Sequence, residues 1–242
     1  MGELFFTLLY QPLYNLLIVI YNFLPWGGAG LAIIVLTIIV KGLLLPLTFK
    51  SLKAQKELQE IQPKIAEIKE QYKDDKEVMA KELMAVYKTH NVNPFASCLP
   101  TIVQLFVFLA LYQALSAGIG TINSEFLYSA VANPGTMNHI FLGIDLGKVS
   151  IPLAILAALM QYLQAKQMIT RRPPKAAQGS SASLDEDMAA SMNKMLVTFL
   201  PLMMLVIGST TLAGGLTLYI FVSTLFTYAL YSVFLRPKPT VK

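Results

Sequence analysis

Five apolar blocks constrain this chain more than any other feature. They run over residues 30–49, 98–118, 149–165, 195–211 and 216–235. A block of about 20 apolar residues spans a bilayer as a helix, and about 17 is near the lower limit. The third and fourth blocks sit at that limit and suit a locally thin bilayer or ends extended by polar flanks. Charged residues make up 14% of the chain, well under the roughly 25% of soluble domains. The sequence reads as a polytopic membrane protein whose unit of organisation is set by the bilayer.

Basic residues set the orientation. Nine lie between Lys50 and Lys88, five between Lys166 and Lys194, and three follow Leu235. On the opposite side Lys148 stands alone. The positive-inside rule puts the basic segments in the cytosol and the N-terminus outside. This asymmetry accounts for the pI near 9.2 without a nucleic-acid site. The predicted fold class is an all-α polytopic membrane protein with five transmembrane helices, N-out and C-in. An amphipathic N-terminal helix lies on the outer surface, and a helical hairpin lies in the cytosol.

The predicted organisation follows. Residues 1–29 form the interfacial helix, in which Gln11, Asn15 and Asn22 share one face and tyrosines flank Pro12. A full span is the alternative for this segment. It lacks a basic leading region and so does not read as a complete signal peptide. Residues 30–235 form the five-span core. Within it, residues 50–94 form the hairpin, where Leu58, Ile61, Ile65, Ile68 and Tyr72 repeat at three and four, as do Met79, Leu83, Val86 and His90 after a break. Asp74 with Glu77 resembles a capping box at the start of the second hairpin helix. Residues 166–194 form a Pro-, Ser- and Gly-rich cytosolic linker, and residues 236–242 a short basic tail. Asn133–Gly135 signals a turn in the outer loop.

One charge falls inside a span. Lys41 lies eight residues before Phe49, about 12 Å along a continuous helix. A lysine stem reaches roughly half as far, so snorkelling covers only part of the distance. An intramembrane charge usually faces a bundle interior or a wet cavity. Thr37 lies one turn away on the same face. Gln104, Gln161, Gln164 and Tyr219 are further polar groups in the spans. Each alone suits an interhelical hydrogen bond. Together they suit one polar cavity open to the cytosol. The spans contain no acid to neutralise Lys41, which argues against a proton- or sodium-coupled carrier. The lone Cys98 excludes a disulfide framework. His90 and His139 fall on opposite sides, so no metal site is predicted. No cofactor motif, phosphate loop or catalytic constellation is present, and the chain does not read as an enzyme.

The segments "QPLYNLL", "TIIVKGLLLPLT", "QPKI", "LMAVYKTHNVNPFASCLPTIVQ", "FLALYQAL" and "GGLTLYIFVS" occur in the order found in the YidC insertases of the Oxa superfamily. Over residues 11–236 the chain resembles the short, five-span form of that family. The resemblance implies a groove open to the cytosol and to lipid and closed on the outer side. Lys41 takes the place of the family's groove residue, usually arginine. It keeps the charge but lacks the bidentate fork. Thr37 and Gln104 match groove positions, and Gln161 or Gln164 matches a third-span glutamine. Tyr219 matches the first of a tyrosine pair whose second member is Ile220 here. The implied activity is insertion and chaperoning of small membrane proteins in the bacterial plasma (inner) membrane. The implied partners are nascent membrane proteins, the ribosome, the Sec translocon, the signal recognition particle receptor and the lipid bilayer. A small-solute or ion transporter with a cationic site at Lys41 is the rival reading, and a scaffold for partner helices is a third.

Overall fold

The computed structural model describes residues 3–90, 92–93, 99–116, 122–169 and 195–234. Cys98, most of the 166–194 linker and the basic tail lie outside the described residues. The chain forms two compact units. One comprises Met1–Leu43, Leu105–Met168 and Lys194–Lys242, and the other Leu44–Gln104 and Ile169–Asn193.

The first unit opens with α1 (Glu3–Phe23), which contains a π-helical turn at Phe6–Tyr10. A short turn leads to α2 (Gly28–Leu43). Gly28 takes φ +61°, a left-handed conformation that glycine adopts without steric cost. After α6 (Leu99–Ser116) comes a loop carrying a β-hairpin. Its strands β1 (Ile140–Phe141) and β2 (Ile144–Asp145) pair Ile140 with Asp145 and Phe141 with Ile144. This hairpin departs from the all-α expectation, because two-residue strands are too short to show a period of two. Then follow α7 (Ile151–Ile169), α8 (Leu200–Thr210) and α9 (Gly214–Phe234). The helix pair with the most extensive packing is α2 and α9, followed by α1 and α2.

The polar face of α1 is bonded to a loop rather than left to solvent alone. Asn15 is buried and donates to the Phe126 carbonyl at 2.8 Å, while its Oδ1 accepts from the Tyr128 amide at 2.8 Å. Gln11 donates to the same carbonyl at 3.3 Å, and Asn22 to that of Ala132 at 2.7 Å. The Tyr14 and Tyr21 hydroxyls accept from the amides of Asn123 and Asn138. The tyrosines read from sequence as interfacial therefore act as buried anchors for the 122–138 loop. Further on, Gly214 and Gly215 donate to the carbonyls of Lys148 and Leu146, tying the end of the loop to the start of α9. A Cβ at Gly30 would overlap the Phe141 side chain, so glycine is what lets the hairpin lie against α2. The predicted turn forms at Gly135 (φ +79°), whose amide donates to Asn133 Oδ1.

In the second unit, α3 (Leu45–Glu60), α4 (Gln62–Gln71) and α5 (Lys76–Thr89) form the predicted hairpin. Ile61, Ile65 and Val92 are its buried core, with Leu58, Leu83, Val86 and Tyr87 against them. The sequence pattern also nominated Ile68, Tyr72, Met79 and His90, which fall outside this core. Its first arm is not one helix. Pro63 has no N–H to donate, and α4 restarts around it. The cap of α5 is Asp75, one residue later than expected. Its Oδ1 accepts from the amides of Glu77 and Val78 at 3.1 and 3.0 Å, satisfying two orphan donors of the first turn.

The expected first span, 30–49, is also divided. α2 ends at Leu43 and α3 begins at Leu45. Pro46 is the cause, since its ring clashes with the carbonyl four residues back and it cannot donate. The depth of about 12 Å for Lys41 assumed one helix through Phe49 and does not hold. Lys41 instead lies in the last turn of α2, where a cation complements the helix dipole.

Two described helices are long and apolar enough to cross a membrane, Glu3–Phe23 and Gly214–Val233. The count becomes three if Gly28–Leu43 and Leu45–Leu58 form one bent span. Large apolar side chains on α7 and α8, among them Ile155, Leu159, Leu202 and Val206, are more than half exposed. In water that surface would exceed what soluble monomers normally show.

Candidate functional site

The residues singled out by sequence are distributed over α2, α7 and α9 of the first unit and the part of α6 that belongs to the second. Residues 33, 37 and 41 are four apart and share one face of α2. Thr37 is 1% exposed, and its hydroxyl donates to the Ile33 carbonyl at 2.6 Å. It is a back-bonded threonine inside the packed face, so its own donor is already occupied.

Lys41 is half-buried. Its Nζ donates to Thr227 Oγ1 at 3.1 Å, and that hydroxyl donates onward to the Ser223 carbonyl at 2.9 Å. Among the described residues, no carboxylate lies within ion-pair distance of Nζ. An ammonium has three donors, and Thr227 takes one of them. On α9, Tyr219, Ser223 and Thr227 are four apart and so form one stripe. Tyr219 and Ser223 are both buried. Tyr219 lies two turns from Thr227, roughly 12 Å along the axis.

Gln161 and Gln164 are half-buried on α7. Gln161 Oε1 is buried with no hydrogen-bond partner among the described residues. Gln167, which the sequence reading left beyond the third span, donates through Nε2 to Ser232 Oγ on α9 at 2.7 Å, and its Oε1 is buried without a partner. Gln104 belongs to the second unit and is half-buried on α6. The structure therefore brings together Lys41 and the Ser223–Thr227 stripe, and separately Gln167 and Ser232. Thr227, Ser223, Gln167 and Ser232 were missed by the sequence reading. The available signal was polar residues four apart within an apolar helix, at 223 and 227.

These features define an α-helical membrane protein with a cation-bearing polar seam between two packed helices. The chain belongs to the 60Kd inner membrane protein family, whose profile matches residues 19–239. Among similar proteins, the membrane protein insertase YidC of Pelobacter propionicus is 40% identical over 169 residues, covering 70% of this chain and 31% of that protein. That of Fusobacterium nucleatum is 35% identical over 199 residues, covering 82% of each. That of Geobacter sp. strain M21 is 48% identical over 93 residues, covering 38% of this chain and 17% of that protein. The chain thus spans about a third of the length of several curated relatives it matches.

Proposed function

We propose that this chain inserts small membrane proteins into the bilayer and helps them fold; the relatives it resembles are membrane protein insertases. The observation that carries the proposal is Lys41. It is a half-buried ammonium in an apolar setting, held by one hydroxyl and facing no described carboxylate. Its two remaining donors suit a polar or acidic guest. At an effective dielectric near 20, one opposite charge at 4 Å is worth about 4 kcal/mol before desolvation. A short polar segment of a nascent protein rests against Lys41, which shortens the apolar distance it still has to cross. Its hydrophobic helix then leaves into lipid past the third and fifth spans. Burial of that helix, aided by the membrane potential acting on its acidic residues, drives the step.

The resemblance adds Thr37, Gln161, Gln164 and Tyr219 to Lys41 as groove positions of the first unit, in a five-span, N-out, C-in protein of the bacterial plasma membrane. α1 lies on the outer surface. From Gln11 to Asn22 it bonds along about 16 Å of its axis to a single loop, which favours a surface position over a crossing. The 50–94 hairpin receives the substrate, the ribosome or the signal recognition particle receptor, and the core works alone or beside the Sec translocon.

The test is reconstitution into liposomes with a small membrane-protein substrate, scored by protease protection. Crosslinking from Lys41, Gln104 and Tyr219 to a ribosome-bound nascent chain locates the path. Saturable solute flux without protease protection would replace this reading with a transporter.

A further inference from the structure

We infer that the β1–β2 hairpin tip and the α1–α2 turn form a lipid-docking patch that dips into the bilayer surface at the N-terminal ends of α2 and α9. Leu142 and Gly143 form the two-residue connection of the hairpin, with φ +50° and +78°. Positive φ at both positions is the type I′ pattern, for which Asn-Gly is the usual choice. A leucine pays a steric penalty there that asparagine largely escapes. Packing among the described residues does little to offset it, because Leu142 is 86% exposed. An exposed, strained apolar residue at a tip is informative when the surface beside it is also apolar.

Here it is. The Ala29 amide donates to the Asn138 carbonyl at 2.8 Å, and Phe141 lies against Gly30. These contacts hold the hairpin beside the turn that carries Phe23 and Trp26, each 80% exposed. Three large apolar side chains are therefore presented from adjoining elements. The same loop is fixed to the start of α9 by the Gly214 and Gly215 amides, and α9 is long and apolar enough to cross a membrane. The patch thus sits where a span begins. The occupant that matches is the headgroup–acyl boundary, where tryptophan and exposed leucine or phenylalanine are favoured.

The inference is independent of insertase activity and is tested without it. Trp26 is the only tryptophan in the chain, so intrinsic fluorescence reports its surroundings directly. In phosphatidylcholine proteoliposomes, lipids brominated near the headgroup end of the acyl chain should quench Trp26 strongly, and iodide should quench it several-fold less than free tryptophan. Position 142 is read with an environment-sensitive dye on Leu142→Cys in a Cys98→Ser background. Glu125→Cys, on an exposed loop position, is the aqueous control. The dye at 142 should be blue-shifted and quenched by shallow spin-labelled lipid, whereas the control should not. Iodide quenching of Trp26 equal to that of free tryptophan, or of the dye at 142 equal to that of the dye at 125, overturns the inference. Strongest quenching by labels at the acyl-chain ends also overturns it, since that places the patch in the bilayer core.

Discussion

Asn15 serves residues 126–128 as a neighbouring strand would. Its side-chain amide donates to the Phe126 carbonyl and accepts from the Tyr128 amide, both at 2.8 Å. One buried side chain thus satisfies two backbone groups of a loop more than 100 residues away. The loop is held by this kind of contact along most of α1.

Replacing Asn15 should loosen that loop. Asn15→Leu leaves the Tyr128 amide without its side-chain partner and the Phe126 carbonyl with Gln11 alone, at about 1–3 kcal/mol for an orphaned group and less where water reaches it. The expected result is a stability loss of roughly 1–2 kcal/mol and faster hydrogen exchange at the Tyr128 amide. Unchanged exchange at Tyr128 would show that the side chain does not hold the loop.

The seam between α2 and α9 predicts a smaller effect. Thr227→Val removes the acceptor for Lys41. Interhelical hydrogen bonds in membranes average about 0.6 kcal/mol and reach about 1.7, so the loss should fall in that range in a denaturation series. A larger loss would mean that Thr227 supports more than this one bond.

The charge at Lys41 is separable from its bond. Lys41→Arg should support insertion of substrates with acidic outer tails, and Lys41→Glu should impair it. Protease protection in liposomes is the readout. Wild-type insertion by Lys41→Glu would remove the electrostatic role.

Gly30→Val tests the seat of the hairpin. Overpacking of this kind costs about 1–3 kcal/mol, because a branched side chain cannot share the space of Phe141. The backbone link from Ala29 to Asn138 should weaken as well, visible as faster exchange of the Ala29 amide.

Acid should loosen the same loop through Asp145. Partial desolvation pushes its carboxyl up. The Gly147 amide at 2.9 Å, then Lys148 at 3.2 Å, and then His139 outweigh it and hold the group below its ordinary value of 3.8. The folded value lies below the unfolded one. The stabilisation is therefore present above the unfolded pKa and is lost as pH falls through the folded pKa. Asp145→Asn should flatten that part of the acid-unfolding curve. An identical acid limb in the variant would show that the loop does not depend on this carboxylate.

Much of this architecture was legible because period and composition reported it. The hairpin core at Ile61 and Ile65 followed from spacing, and the apolar flanks of α7 and α8 from block length. What failed were the interruptions and the partners. Pro46 and Pro63 were visible, but a continuous apolar or amphipathic pattern outweighed them. The cap moved from Asp74 to Asp75 because either aspartate can accept from a first turn, and only the backbone decides which does. The polar stripe of α1 was recognised as a face, yet its partners are backbone groups of a distant loop, which no side-chain pattern encodes. Gln167 was missed because a glutamine at the end of an apolar block reads as interfacial until its partner, Ser232, is known.

The bond between Lys41 and Thr227 joins residues 186 positions apart. At about 5–20 residues per second, a ribosome needs roughly 10–40 s to make the second after the first. Throughout that interval α2 is present without α9, and the Lys41 ammonium lacks its hydroxyl partner. The seam that carries the candidate site is thus among the last contacts the growing chain can close. A chain that stops before Thr227 can complete the 50–94 hairpin, but it cannot complete this face.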